Sequence, residues 1–220
     1  GRKVALRDVA LRVPAGSLFG FLGPNGAGKT TTIRILLGLL RATDGHARLL
    51  GGDAWRDGPK LRARVGHLPG DVRFYDRLTG ARTLAYFAAV RGGGCDAEIK
   101  RLRDVFNLDL NVRVRRYSRG MKQKLGLIQA LMHKPELLIL DEPSASLDPL
   151  VRIALNNELR AAAGEGRTVL FSSHTLSEVE ELCDHVAIVR AGRLVEQERI
   201  EVLRRRALRH VEVRFADAPP

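Results

Sequence analysis

Cysteines, long apolar runs and a leader-like start are rare or missing in this chain of 220 residues. Its two cysteines, Cys95 and Cys183, lie far apart without a CxxC pair or paired histidines, so neither a disulfide framework nor a zinc site is predicted. We interpret both as thiols of a reducing cytoplasm. No apolar stretch approaches the roughly 20 residues that span a bilayer, and the first residues show no signal-peptide pattern. A role at a membrane would therefore be that of a peripheral subunit.

Acidic residues are outnumbered by basic ones, 25 against 37, which gives a formal net charge of +12. Such a charge is compatible with a solvated arginine-rich surface, with nucleic acid, with an anionic membrane leaflet or with a phosphate ligand. The arginines are spread along the chain, with one concentrated run at 204–206. We favour the solvated surface, with nucleotide and the membrane surface as further contributors.

Strand-like and helical patterns alternate along the chain, which predicts an α/β fold with a mainly parallel, helix-covered sheet. The segment from about 78 to 135 is mostly helical in pattern and is predicted to be an inserted helical subdomain. The end, 211–220, reads as the start of a further C-terminal region. Strands are predicted at 4–13, 17–22, 47–50, 136–140, 168–172, 186–189 and 193–196, and helices at 29–40, 149–163 and 177–183.

A glycine-rich segment from Gly23 to Thr30 fits the phosphate-loop pattern GxxxxGK[ST] at every required position. Glycines let backbone N–H groups turn toward phosphate oxygens, and the helix that follows adds its positive end. Lys29 is predicted to contact the β- and γ-phosphates, Thr30 to bind Mg²⁺ and Thr31 to reach the α-phosphate. A chance glycine-rich turn is the alternative, but a strand before and a helix after oppose it. The predicted binding residues are Gly23, Pro24, Asn25, Gly26, Ala27, Gly28, Lys29, Thr30 and Thr31.

An apolar run from Leu137 to Leu140 ends in two acids, Asp141 and Glu142. The carboxyl ends of parallel strands face the ligand crevice, so both acids are expected beside the phosphate loop. Asp141 is predicted to bind Mg²⁺, and Glu142 to act as the general base toward water. Two solvated acids at a strand end are the alternative, which is weak beside a complete phosphate loop.

From here the chain resembles the ATP-binding cassette (ABC) family over nearly all of its length. The segment 141–149 is similar to that family's Walker B and D-loop block, and 171–174 is similar to its switch-histidine strand. The resemblance implies that His174 contacts the γ-phosphate and holds water and Glu142 in geometry. It also implies that Asp148 lies at a dimer interface. The fold it implies is a single P-loop NTPase domain over 1–220, with an N-terminal antiparallel β portion.

The segment Tyr117–Met121 stands where the family has its signature, before a helix and ahead of the acidic strand. The resemblance implies that Ser118 and Gly120 grip the γ-phosphate of ATP held by a second copy. An ordinary helix capped by Ser118 is the alternative. Arg119 and Met121 resemble the branch that exports drugs, antibiotics and polysaccharides. The implied partners are a second ABC ATPase copy and a separate multi-span permease at the cytoplasmic membrane face, with ATP and Mg²⁺ as ligands and no nucleic acid.

Three positions depart from the family pattern. Gly70 stands where the family has a glutamine, and we hypothesise that Asp71 replaces it because it is adjacent. The aromatic residue that stacks on adenine would fall at or before Gly1. Ser146 replaces a glycine of the D-loop block, with little consequence expected.

Three other functions compete with this interpretation. A non-transport ABC ATPase acting on ribosomes or nucleic acid would suit the basic charge, but such proteins have two cassettes or a coiled-coil or zinc insertion. An unrelated P-loop GTPase would need an NKxD motif, which the sequence lacks, and a kinase an acceptor-binding lid. An ABC importer is disfavoured by the signature variant.

Overall fold

The structure, a computed structural model, describes residues 4–206. Eight strands and eight α-helices are formed there. The strands are β1 (Leu18–Leu22), β2 (Arg48–Leu49), β3 (Gly52–Asp53), β4 (Val65–Leu68), β5 (Leu137–Asp141), β6 (Thr168–Ser173), β7 (His185–Arg190) and β8 (Arg193–Arg199). The helices are α1 (Lys29–Leu36), α2 (Gly58–Ala63), α3 (Gly80–Val90), α4 (Asp96–Val105), α5 (Arg119–Leu131), α6 (Pro149–Gly164), α7 (Leu176–Leu182) and α8 (Ile200–Arg206).

Six strands form one sheet in the order β4-β5-β6-β1-β7-β8. All neighbours are parallel except β7 and β8, which are antiparallel. Strands β2 and β3 form a separate antiparallel pair. The predicted α/β fold with a mainly parallel sheet and an antiparallel portion is confirmed. Because β1 and β5 both pair with β6, the carboxyl ends of these three strands lie side by side.

Apolar side chains cover both faces of this sheet. In β5, Leu138 and Leu140 belong to one buried cluster, whereas Leu137 and Ile139 belong to the other. Successive side chains of a strand point to opposite faces, so a strand buried on both sides is apolar throughout. This explains why β5 is a continuous apolar run, and why its polar residues occur only at the end.

Helix α1 is shorter than predicted, because it ends at Leu36 instead of Leu40. Gly38 follows with a φ of 62°. Its N–H donates to the carbonyl of Ile35, and the N–H of Leu39 donates to that of Arg34. These two bonds form a Schellman motif, which ends a helix where a glycine adopts the left-handed conformation.

The predicted strand over 4–13 is not formed. Asp8 has a left-handed φ of 52°, which interrupts the extended backbone. The segment instead lies along β8 and the turn before it through separate contacts, with Arg7 N–H donating to Gly192 O at 2.7 Å and the Gln197 amide donating to Arg12 O at 2.6 Å. The antiparallel portion of the described fold therefore consists of β2–β3 and β7–β8. The segment 211–220 lies outside the described residues.

The chain between β4 and β5 carries three consecutive helices, α3, α4 and α5, within the segment predicted to be helical. A charged cluster joins this stretch to the rest of the fold. Arg101 of α4 contacts the Glu158 carboxylate of α6 through two nitrogens, at 2.7 and 2.6 Å, and also contacts Glu98 at 2.6 Å. A paired guanidinium–carboxylate contact fixes orientation as well as distance, so α4 is held in register with α6.

Candidate nucleotide site

The phosphate loop follows β1 and is packed tightly against the sheet. A Cβ atom at Gly23 would lie 2.4 Å from the carbonyl oxygen of Val189, so a side chain does not fit there. Gly26 and Gly28 have φ values of 79° and 111°, which glycine adopts without strain. Helix α1 begins at Lys29. The loop therefore ends at a helix N-terminus, the arrangement that favours anions.

Lys29 lies inside the loop and is only 6% exposed. Its Nζ donates to the carbonyl of Gly23 at 2.5 Å. The same nitrogen is 3.2 Å from Oε1 of Glu142, an ion pair whose angles fall outside the hydrogen-bond range. A buried ammonium with one carboxylate neighbour suits a second anionic ligand, since a buried charge is costly unless it is paired.

Thr30 and Asp141, the predicted metal ligands, are brought together by the fold. The Thr30 hydroxyl donates to Oδ2 of Asp141 at 2.8 Å, and the Ser172 hydroxyl donates to Oδ1 at 2.5 Å. Hydroxyl and carboxylate oxygens are the ligands that Mg²⁺ prefers, usually with phosphate oxygens and water completing the shell. Within residues 4–206 no cluster of three His, Cys, Asp or Glu side chains could hold a metal. The residues present fit a Mg²⁺ that is held jointly with a phosphate.

Glu142 and His174, the predicted catalytic residues, are in direct contact. Nδ1 of His174 lies 2.7 Å from Oε2 of Glu142. The Glu142 backbone has a left-handed φ of 52°, and its N–H is held by the carbonyl and the hydroxyl of Ser172 at 3.2 and 3.1 Å. Non-glycine residues adopt this conformation only when their surroundings fix it, and such strain is frequent at active sites. The carboxylate thus lies between Lys29 and His174.

Ser118, Gly120 and Asp148 occupy a different position. Ser118 caps α5 by accepting a bond from the Met121 N–H, and Asp148 caps α6 by accepting one from the Val151 N–H. The Val151 bond holds the pKa of Asp148 below its ordinary value. Within the described part of the chain, no hydrogen bond or ion pair joins these three residues to their own phosphate loop.

Gly70 lies next to the acidic strand end, whereas Asp71 points elsewhere. A Cβ at Gly70 would be 3.3 Å from Oδ2 of Asp141. The Asp71 carboxylate pairs with Arg73 at 2.7 Å, and its side chain is 73% exposed. The structure therefore does not bring Asp71 to the predicted metal ligands. A groove of about 610 Å³ lies here between the segment 70–76 and the start of α5.

Sequence reasoning missed two residues of this region. The buried Gln123 amide donates to the carbonyls of Glu142 and Pro143 at 3.2 and 3.0 Å. The sequence indicates Gln123 as a polar residue on the same face of α5 as the buried Leu127 and Leu131. The other is Glu178, whose carboxylate accepts bonds from the hydroxyls of Ser144 and Ser173, at 2.8 and 2.6 Å. No spacing in the sequence indicated that pairing.

Comparison with known proteins assigns the family. The family described as ABC transporter matches residues 6–145. This chain belongs to the ABC transporter family. It is an ATP-binding subunit of that family, whose domain hydrolyses ATP in transport, as predicted. An unrelated P-loop kinase or GTPase is thereby excluded.

Known members of this family resemble the subunit closely. It is 36% identical over 220 residues to the bacitracin transport ATP-binding protein BcrA of Bacillus licheniformis, covering 99% of this chain and 72% of BcrA. A solved ATP-binding subunit of an ABC transporter superposes with a TM-score of 0.83 at 32% identity, covering 92% of this chain and 86% of that one. A bacterial Atm1-family ABC exporter with ATP bound superposes at 0.81 with 28% identity, over 93% of this chain and 37% of the exporter. In the described part of this ABC subunit, no helix is long and apolar enough to cross a membrane.

Proposed function

We propose that this subunit drives export through a separate multi-span permease, working at the cytoplasmic face of the membrane. The observation that carries the hydrolytic part is the Glu142 carboxylate, held between Lys29 and His174. The exporter part is supported by the signature residues Arg119 and Met121. It is also supported by similarity to BcrA, named for bacitracin transport, and to an Atm1-family exporter.

ATP binding would use the phosphate loop and the buried Lys29. The loop offers backbone N–H groups and the N-terminus of α1, and Lys29 adds a full positive charge. Thr30 and Asp141 would hold Mg²⁺, with Thr31 reaching the α-phosphate. When bound, the ion offsets phosphate charge and orients the triphosphate.

Hydrolysis would use Glu142 as the base. Its carboxylate takes a proton from water as the water oxygen bonds to the γ-phosphorus, and the bond to the bridging oxygen breaks to release ADP and phosphate. A carboxylate only accepts hydrogen bonds, so the 2.7 Å contact requires that Nδ1 of His174 carries a proton and donates it to Glu142 in a hydrogen bond. His174 thereby fixes the direction of the carboxylate. Lys29 offsets the charge that spreads over the γ-phosphoryl oxygens.

A second ABC ATPase copy, identical or a sister cassette, would complete the site. Ser118 and Gly120 begin α5 and make no polar contact with their own phosphate loop in the described region. A head-to-tail pair would bring the N-terminus of α5 and Asp148 of one copy to the phosphate loop of the other. Two ATP molecules would then lie at the shared interface. The groove beside Gly70 is our proposed contact for the permease, and we expect no nucleic-acid partner.

Co-purification tests this proposal. The full-length protein is tagged, extracted from membranes in mild detergent, and assayed for Mg·ATP hydrolysis together with whatever it brings down. We expect a stoichiometric multi-span protein that stimulates hydrolysis, and no stimulation in a matched Glu142→Gln preparation. Recovery of ribosomes or nucleic acid in place of a membrane protein would overturn the transport assignment while leaving the nucleotide chemistry intact.

A further inference from the structure

Helix α5 holds the segment that carries the proposed base. Three residues in its first turns contact segment 142–148. A Cβ at Gly120 would lie 2.6 Å from the carbonyl oxygen of Ser146, so the two backbones are in close contact. Nζ of Lys124 lies 3.8 Å from the Asp148 carboxylate. Between them, the amide of Gln123 donates to two carbonyls of the same segment.

The Gln123 contacts hold the backbone of Glu142 on its carbonyl side. The Glu142 N–H is held by Ser172 of β6, and its C=O is held by Gln123 of α5, at 3.2 Å. The residue between these bonds has the left-handed φ of 52°. A strained conformation persists only while its surroundings determine it. Removing the amide would leave the buried Pro143 carbonyl and the half-buried Glu142 carbonyl without this donor, and it would free the peptide that orients the base.

The same helix begins at the residues proposed to contact the partner's ATP. Its N-terminus carries Ser118 and Gly120, whereas Gln123 lies one turn later on the face directed at Glu142. A helix is stiff over one turn, so a displacement at its first residues is transmitted to Gln123. Within one chain, α5 therefore joins the group that senses one ATP to the group that hydrolyses the other.

We infer that Gln123 is a positioning residue that couples the two ATP sites of the dimer. Engagement of Ser118 by the partner's ATP shifts α5, and the Gln123 amide carries that shift to the Glu142 backbone. The inference rests on the proposed head-to-tail dimer. It predicts cooperative hydrolysis that depends on this amide, an effect that packing alone would not produce.

The test compares variants of the full-length protein in steady-state ATP hydrolysis. Gln123→Met keeps side-chain length and removes the donors, and Gln123→Glu places an acceptor against the two carbonyls. Gln129→Met is the matched control, since Gln129 lies on the same helix, is half-buried and has no side-chain hydrogen bond within residues 4–206. ATP affinity and ATP-driven dimerisation are measured separately in a Glu142→Gln background. Thermal melting establishes which variants fold. If Gln123→Met does not fold, Gln123→Glu is judged by the same criteria.

We expect Gln123→Met to lower kcat by about tenfold, equivalent to about 1.4 kcal/mol, and to reduce the Hill coefficient for ATP to 1. ATP affinity and dimerisation should match the Gln129→Met control. A folded Gln123 variant with the native Hill coefficient would overturn the coupling. Absence of an ATP-driven dimer in Glu142→Gln alone would instead refute the proposed dimer, so the two failures are distinguishable.

Discussion

Nδ1 of His174 lies 2.7 Å from Oε2 of Glu142, although 31 residues separate the two along the chain. Parallel pairing of β5 with β6 aligns Asp141 with Ser172, and the residues just beyond both strands then meet. The contact depends on the sheet and not on any local motif. It gives the proposed base a fixed direction.

Removal of either member of this pair should slow hydrolysis, and the loss should be larger for Glu142 than for His174. Glu142→Gln removes the proton acceptor, so we expect kcat to fall by 10² to 10⁴, roughly the contribution of general base catalysis. The variant should remain as an ATP-bound dimer. His174→Ala leaves the base but frees its orientation, so a smaller loss of kcat is expected, with little change in ATP affinity. Both are measured by phosphate release and gel filtration with ATP.

The exposed His46 provides a control, since His46→Gln should leave both the rate of phosphate release and the gel-filtration behaviour with ATP unchanged. Rapid hydrolysis by Glu142→Gln would remove Glu142 from the base role.

Asp71→Ala should leave ATP turnover within about twofold of the native rate. The Asp71 carboxylate pairs with Arg73 at the surface, and exposed ion pairs contribute only about 0.2–1 kcal/mol. The comparison is Asp141→Asn, which alters the carboxylate bonded to Thr30 and Ser172 and should abolish turnover. A large loss in Asp71→Ala would restore the hypothesis that this residue replaces the family's glutamine.

Ser146→Gly should stabilise the protein by about 0.5–1 kcal/mol. Ser146 has a φ of 63°, a conformation that costs a residue with a Cβ about 1–2 kcal/mol. Part of the gain is offset by the greater freedom of glycine in the unfolded chain. Ser146→Ala retains the Cβ and should show no gain in urea unfolding. Equal stability of the two variants would mean that the strain is relieved elsewhere.

The free energy of unfolding should fall as the solution is acidified from about pH 6.5 to about pH 4. Burial, aided by the nearby Arg91 guanidinium, lowers the pKa of His133 to about 4. The unfolded chain therefore binds the proton first, and the stabilisation present above about pH 6.5 is lost as pH approaches the folded pKa. His133→Gln should flatten this part of the pH profile, whereas His46→Gln should not. Identical slopes in native protein and His133→Gln would contradict the assignment.

Much of the fold followed from local pattern. The apolar run 137–140 and its terminal acids predicted a buried strand ending at a site, because burial on both faces leaves polar residues only at the end. The phosphate loop was predicted for the same kind of reason, since glycines with positive φ are required between a strand and a helix. The prediction that α1 extends to Leu40 was wrong, although the sequence contains Gly38, the left-handed residue that ends the helix. The sequence did not predict that 4–13 forms no strand. Its alternation is imperfect, and the left-handed backbone of Asp8 breaks the extended conformation.

The sequence by itself determined the family, the alternation of strands and helices and the residue types at the site, because these depend on spacing along the chain. Only the tertiary structure decided which side chains touch. It directed Asp71 to Arg73, left Gly70 beside Asp141, and joined Gln123 to Glu142 and Glu178 to Ser144 and Ser173. The contacts of Gln123 and Glu178 depend on how α5 and α7 pack against the sheet. Residues far apart in sequence become neighbours there, and no local pattern records their approach.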